Sequence, residues 1–112
     1  MTSPIVFFDI AGPDGEALKS FYEAAFGWSY DPMGRIAGAA LAGAIRQDPA
    51  DKVLYLGVED VTAALAAVEA SGGAVIMPRF AVKGVVVLGL FKDPAGNTMG
   101  LVETKDGKPV VP

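Results

Sequence analysis

The chain has 112 residues, a hydrophobic fraction of 52% and a net charge of −4 at pH 7, which together predict one folded domain. It contains no cysteine and no histidine. These absences exclude disulfides, thiolate metal sites and catalysis by a histidine base. The nine basic residues are scattered, so we expect no nucleic-acid partner. No basic leader segment opens the chain and no apolar run approaches the roughly 20 residues that span a bilayer, so we expect a cytoplasmic protein without a membrane partner.

A first module of strands and one helix is predicted between about residues 4 and 47. Branched and aromatic residues open the module as a strand. A helix follows, because apolar residues recur at helical spacing and Gly27 suits the left-handed position that ends a helix. The extended segments of this module are predicted at 4–11, 28–31, 35–41 and 42–47.

A second module is predicted between about residues 53 and 104. Asp60 is a suitable N-cap, because its carboxylate can accept the free amide hydrogens of a first helical turn. Pro78 is predicted to end the strand that begins at Ala74. The tail, residues 105–112, is predicted to be loose or docked on a neighbour. The extended segments of this module are predicted at 53–58, 74–77, 84–92 and 98–103.

The two modules are related by an internal repeat. A shift of 46 residues places Asp14 on Asp60 and Pro32 on Pro78. Because a helix-capping residue and a strand-ending proline take corresponding places, the sequence predicts a duplicated β-α-β-β-β unit.

Three segments of the chain carry a family resemblance: Asp14 with Phe21-Tyr22 and Phe26-Gly27-Trp28, then Val58-Glu59-Asp60-Val61, then Phe91-Lys92-Asp93-Pro94-Ala95-Gly96-Asn97. Together they resemble the glyoxalase/bleomycin-resistance/dioxygenase family, also called the vicinal oxygen chelate superfamily. The resemblance implies one domain over residues 1–112, with an α+β fold in which two tandem β-α-β-β-β modules form a curled mixed sheet, or cup. In that family the cup holds a divalent metal and a small substrate.

The same resemblance assigns metal-ligand positions to this chain. They fall on Phe7, on Val53, on Gly100 of the last strand and within residues 41–45. None of these side chains has the lone pairs that a divalent metal requires. Glu103 lies an odd number of residues past Gly100, so we expect it to face away from the cup. We therefore expect no metal and no cofactor.

An apolar, aromatic hollow is expected instead, which is the usual composition of a small-molecule pocket. Asp9 is the candidate catalytic acid or base; alternatively it is held by a tyrosine, an arginine or a backbone amide, since a buried carboxylate is costly unless it is paired. Arg79 either recognises an anionic ligand or is a solvated loop residue. The candidate ligand-binding residues are Phe7, Tyr30, Val53, Tyr55, Arg79, Phe80 and Gly100.

Three functions remain open. The first is metal-free binding of a small apolar or aromatic molecule in the cup. The second is a lyase, isomerase or dioxygenase-type enzyme that uses Asp9 as acid or base, or an atypical metal site. The third is an interaction module with a vestigial cup. A homodimer is expected for all three, partly from the resemblance and partly because a small chain with many apolar residues must cover them.

Overall fold

The computed structural model describes residues 2–112, which form two helices and seven strands. Contacts along the chain divide it into two compact units. The amino-terminal unit is Phe7–Val53, and the carboxy-terminal unit combines the residues up to Val6 with Leu54–Pro112. The predicted α+β fold is confirmed, with one helix in each unit. The elements are β1 Ile5–Gly12, α1 Gly15–Phe26, β2 Gly43–Gln47, β3 Asp51–Val58, α2 Val61–Ala70, β4 Ala74–Val82, β5 Val86–Lys92, β6 Thr98–Lys105 and β7 Lys108–Pro109.

Both helices begin at the aspartates that the repeat superposes. Oδ1 of Asp14 accepts a hydrogen bond from the amide of Ala17 at 3.0 Å, and Oδ1 of Asp60 accepts one from the amide of Ala63 at 2.9 Å. Each bond satisfies a donor that the first helical turn leaves free. α1 ends at Gly27, whose φ of 73° is left-handed as predicted. Across the described residues, neither helix is long and apolar enough to cross a membrane.

The amino-terminal unit is built on a parallel pair of strands. β1 and β2 pair with Phe8 opposite Gly43 and Asp9 opposite Ala44. The ring of Phe8 lies 6.5 Å from that of Trp28, which follows α1. Because side chains alternate along a strand, Asp9 points to the face opposite Phe8.

Residues 35–41 do not form the strand that the sequence predicts. Ile36 makes an isolated bridge to Tyr30, and Arg35 makes one to Ala44. Gly38, in the middle of the segment, has a φ of 70°, which is incompatible with a continuous strand. The prediction of a strand over 35–41 is therefore wrong.

The carboxy-terminal unit is a mixed sheet with the strand order β3-β6-β5-β4. β3 and β6 are parallel, while β5 is antiparallel to both β6 and β4. α2 covers one face of this sheet. Its buried contacts with the strands form the core of the unit, which consists of Val61, Leu65, Phe91 and Leu101.

Pro78 does not end β4, which continues to Val82. The pairing of β4 with β5 shifts register between Met77 and Phe80, so Pro78 lies in an irregular stretch. β4 is also the last strand in the order of its unit. A proline is tolerated at such a position, because no ladder hydrogen bond depends on its missing N–H.

The tail is not loose, so that part of the prediction is wrong. β7 pairs with the end of β6, where Thr104 is opposite Pro109. The amide of Gly84 donates to the carbonyl oxygen of Pro112 at 2.9 Å. The tail therefore packs on its own unit.

Candidate functional site

The sheet face of the carboxy-terminal unit that points away from α2 is the candidate ligand-binding surface. A Cβ built at Gly89 would point at Val61 and Leu65 of α2, so the neighbouring side chains of β5 point the other way. Residues paired across strands share a face. We call this surface the open face because α2 does not cover it; Gly57, Gly100 and Val102 are buried in it, whereas Phe80 is exposed. Its two rows, read along the cross-strand pairings, are Tyr55–Gly100–Leu90, which stops where β4 shifts register at Met77, and Gly57–Val102–Leu88–Phe80.

Tyr55 and Gly100 form the centre of the open face. A Cβ at Gly100 would overlap the Cδ2, Cε2 and Cγ atoms of the Tyr55 ring. Gly100 is buried and Tyr55 is half-buried. The ring therefore occupies the space in which a side chain at position 100 would begin. A carboxylate at this position, which the resemblance implies for a metal site, has no room.

The residues at the other implied metal positions also do not fit a divalent ion. Phe7 and Val53 carry no donor atom. Within residues 41–45, a Cβ at Gly43 would overlap the ring of Phe8. In residues 2–112, no three carboxylate, imidazole or thiol side chains converge on one point. We therefore derive no chemical step through a metal.

Asp9 lies in the amino-terminal unit and is only 5% exposed. Its Oδ1 atom lies 3.1 Å from Nε of Arg46, whose guanidinium also pairs with Asp48. A nearby positive charge offsets part of the cost of burying a carboxylate. Of the interpretations open from sequence, the geometry agrees with an aspartate held by an arginine.

Arg79 is engaged by a carboxylate of its own unit. Its Nε atom donates to Oε2 of Glu103 at 2.8 Å, and a terminal nitrogen donates to Oε1 at 2.7 Å. Oε2 of Glu103 also accepts from the amide of Val61, at the start of α2. Glu103 therefore faces α2 and not the open face, as strand alternation predicts.

The ionisation of this pair follows from its geometry. The hydrogen bonds from Arg79 lower the pKa of Glu103, and the bonds to Glu103 raise the pKa of Arg79. Both groups are charged at neutral pH. Arg79 thus already has an internal anion as its partner.

The remaining predicted site residues belong to the amino-terminal unit. Tyr30 donates its hydroxyl hydrogen to the carbonyl oxygen of Lys19 in α1 at 3.1 Å, and burial raises the pKa of Tyr30. Val53 is 2% exposed, and Phe7 is half-buried on β1. Among the predicted ligand-binding residues, the structure brings Tyr55, Phe80 and Gly100 together on the open face.

Leu88 and Leu90 complete the open face, although the sequence pattern does not identify them as site residues. Their signal is the period of two in β5, which separates them from Gly89 and Phe91 on the side that faces α2. That signal becomes readable only when the register with β6 is known. A separate open depression of about 360 Å³ is lined by none of the open-face residues; its walls are Glu59, Glu103, Thr104, Lys105, Asp106 and Val110.

Comparison with known proteins identifies the family of this chain. Two curated mycobacterial proteins, each named "Putative glyoxylase CFP32", from Mycobacterium bovis and Mycobacterium tuberculosis, are 32% identical to it over 111 residues. The matched region is 83% of this chain but 42% of each relative, so the chain spans less than half of their length.

Solved structures with low sequence identity share the fold. Methylmalonyl-CoA epimerase from Mycobacterium tuberculosis superposes with a TM-score of 0.66 at 14% identity, over 94% of this chain and 92% of the epimerase. A glyoxalase/bleomycin resistance protein/dioxygenase superfamily member from Vibrio splendidus 12B01 gives 0.64 at 12% identity, over 92% and 100%. The sequence profile of the glyoxalase-like domain matches residues 5–102. The chain therefore belongs to the glyoxalase-like domain family of the vicinal oxygen chelate superfamily.

Proposed function

We propose that this chain binds a small apolar or aromatic molecule on the open face without a divalent metal. The observation that carries the proposal is the Tyr55 ring over Gly100, which puts an aromatic surface where a metal-binding carboxylate is implied. Apolar ligand surface removed from water contributes about 25 cal/mol per Å². Binding on the open face therefore draws on hydrophobic contact and not on metal coordination.

The charges of the unit also support an uncharged ligand. One solved relative of this fold is a methylmalonyl-CoA epimerase in complex with methylmalonyl-CoA, an anionic acyl thioester. All seven residues of the open face are uncharged. Arg79, the cation beside Phe80, is already bonded to Glu103. These residues therefore offer no positive charge to pair with the anionic groups of an acyl thioester.

The test is thermal stabilisation of the intact protein by a library of small apolar compounds, with and without EDTA. A ligand that binds only the folded state at about 100 times its Kd adds about 2.7 kcal/mol of stability. We expect stabilisation that EDTA does not change and that Phe80→Ala weakens. Met33→Ala removes an exposed apolar side chain that lies outside both the open face and α1, and it serves as the control. The absence of any stabilising compound would contradict the proposal.

A second candidate function is a lyase, isomerase or dioxygenase-type reaction with Asp9 as acid or base. The observation that favours it is a carboxylate only 5% exposed, with Arg46 beside it. A proton-transferring Asp9 would exchange a carbon-bound hydrogen of a bound substrate with D₂O, and Asp9→Asn would abolish the exchange while the protein stays folded. Unchanged exchange in that variant would eliminate the role.

We also propose a homodimer in the cytoplasm, either as the binding protein itself or as an interaction module with a vestigial cup. Phe21 and Phe26 of α1 are 57% and 67% exposed, which is a large apolar surface for a small monomer. Light scattering measures the mass in solution. A dimer that Phe26→Ser dissociates supports this interface, and a monomer at micromolar concentration rejects it.

A further inference from the structure

The turn between β6 and β7 places an Asp-Gly dipeptide in the left-handed region of the backbone. Asp106 has a φ of 53° and Gly107 has a φ of 78°. Within residues 2–112, Asp106 is the one residue other than glycine whose φ is positive. Short hairpins favour this conformation, and Asp-Gly is among the dipeptides that adopt it most readily. The geometry of the hairpin therefore explains why this dipeptide stands here.

The same dipeptide is chemically reactive. The backbone nitrogen that follows an aspartate can attack the side-chain carboxyl carbon, so that a C–N bond forms and a carboxyl oxygen leaves as water. The product is a cyclic imide. Water then opens the imide at either carbonyl, which gives back aspartate or gives isoaspartate, whose backbone runs through the former side chain. Glycine is the most reactive following residue, because it has no Cβ to obstruct the attack.

Both reacting groups are accessible at Asp106-Gly107. The two residues are exposed, and so is β7, which is only 2 residues long. The attack requires the turn to open, and the pairing of β7 and the bond from the amide of Val110 to the carbonyl oxygen of Glu103 oppose that opening. Opening uncovers little apolar surface and relieves the left-handed conformation of Asp106. Short exposed segments of this kind open locally at a low free energy.

The other Asp-Gly dipeptide of the chain, Asp14-Gly15, has the opposite environment. Gly15 is buried, and its amide donates to Oε1 of Gln47 at 3.2 Å. The carboxylate of Asp14 caps α1 by accepting from the amide of Ala17. An attack at this dipeptide must break both hydrogen bonds and the first turn of the helix. The structure therefore holds the nitrogen and the carboxylate of this second dipeptide in place.

We infer that Asp106-Gly107 is a modification site at which the folded protein forms isoaspartate, while the start of α1 protects Asp14-Gly15 from the same reaction. Isoaspartate adds a carbon atom to the backbone of the turn. The register in which Lys105 is opposite Lys108 depends on the short turn, so the longer one disrupts it. The modification therefore releases the tail from β6.

Storage of the intact protein at neutral pH and physiological temperature tests the inference. An isoaspartyl methyltransferase labels the isoaspartate that forms, and tandem mass spectrometry of the peptides locates the label. We expect residue 106 to convert at least about tenfold faster than Asp14, because opening at Asp14 breaks two hydrogen bonds, each corresponding to roughly fivefold in an opening equilibrium. In urea, which removes both environments, the two rates should become similar.

Variants at position 106 assign the reaction to the turn. Asp106→Asn suits the same turn and forms the same imide with loss of ammonia, so isoaspartate should accumulate faster at position 106 and at an unchanged rate at Asp14. Asp106→Gly also suits the turn but has no carboxyl group, so it should abolish the label there. Circular dichroism and melting curves establish that each variant is folded.

Hydrogen exchange tests the release of the tail. The amides of Gly84 and Val110 donate to backbone oxygens that hold the tail, so both should exchange faster in the isoaspartate fraction than in the unmodified protein. Unchanged exchange would overturn the release. Equal conversion of Asp14 and Asp106 in the folded protein, or conversion of Asp106 in urea only, would overturn the modification site itself.

Discussion

The ring of Tyr55 lies on the backbone of Gly100, its parallel register partner, and the ring of Phe8 stands in the same relationship to Gly43. In both pairs an aromatic side chain occupies the space that a Cβ of the opposite residue would take. The two aromatic rings lie on different surfaces. Phe8 faces Trp28 beside α1, whereas Tyr55 lies on the open face. Each glycine is therefore required by the ring opposite it.

Replacing Gly100 by alanine should destabilise the protein by about 1–3 kcal/mol, the usual cost of overpacking. The new methyl group would collide with the Tyr55 ring, which has to leave its position. Chemical denaturation measures the change in the free energy of unfolding. In a Tyr55→Ala background the same substitution should cost much less, so equal costs in the two backgrounds would contradict the packing of the ring on Gly100.

Gly43→Ala should produce a similar loss, together with a change in the emission of Trp28, the single tryptophan of the chain. Displacing Phe8 disturbs a ring whose centroid lies 6.5 Å from that of Trp28. Gly12→Ala is the matched control on β1, because its Cβ would meet only the flexible end of Leu18, at 3.2 Å. An unchanged emission spectrum for Gly43→Ala would show that Phe8 does not rest on Gly43.

The bond between Arg79 and Glu103 predicts a pH dependence of stability. Since this bond lowers the pKa of Glu103, the ionised carboxylate stabilises the fold above its unfolded pKa of about 4.3, and the contribution is lost as pH falls through the folded pKa. Glu103→Gln should therefore lower the Tm at pH 7, and this loss should shrink as the pH falls below about 4.3. Glu69→Gln, an exposed change on α2, is the control. A Tm difference that is constant with pH would contradict the role of the Glu103 charge.

The ion pair of Asp9 and Arg46 gives a prediction for the amino-terminal unit. Arg46→Met removes the cation beside a side chain that is 6% exposed, and it should cost about 1–3 kcal/mol in the free energy of unfolding. Asp48→Asn removes only the ion pair between Arg46 and the more exposed Asp48. It should change the free energy of unfolding by less than about 0.5 kcal/mol. Adding Asp9→Asn to Arg46→Met should recover part of the loss. Urea melts of the four proteins decide whether the recovery occurs.

The sequence predicts the helices well because their signals are local. Asp14 and Asp60 cap the two helices through hydrogen bonds within the first turn. Gly27 ends α1 through its own backbone conformation. The alternation rule also places Glu103 away from the open face correctly. In each case the evidence lies within a few residues of the feature.

The failures concern features that depend on distant strands. Whether β4 ends at Pro78 depends on the pairing of β4 with β5. Whether the tail packs on its own unit depends on contacts such as the bond between Gly84 and Pro112. Likewise, the sequence shows that Gly100 cannot ligate a metal, but not that the Tyr55 ring fills its place. That relationship needs the register of β3 against β6, to which no local pattern points.

The most direct test of the central claim is equilibrium dialysis of the intact, tag-free protein against 2-naphthol, in the presence of EDTA and then of zinc, nickel, manganese or ferrous ions. The claim that a small aromatic molecule binds on the open face without a metal predicts one bound naphthol per chain and the same Kd under every condition. Binding that disappears in EDTA and returns with one tightly held divalent ion per chain would contradict it.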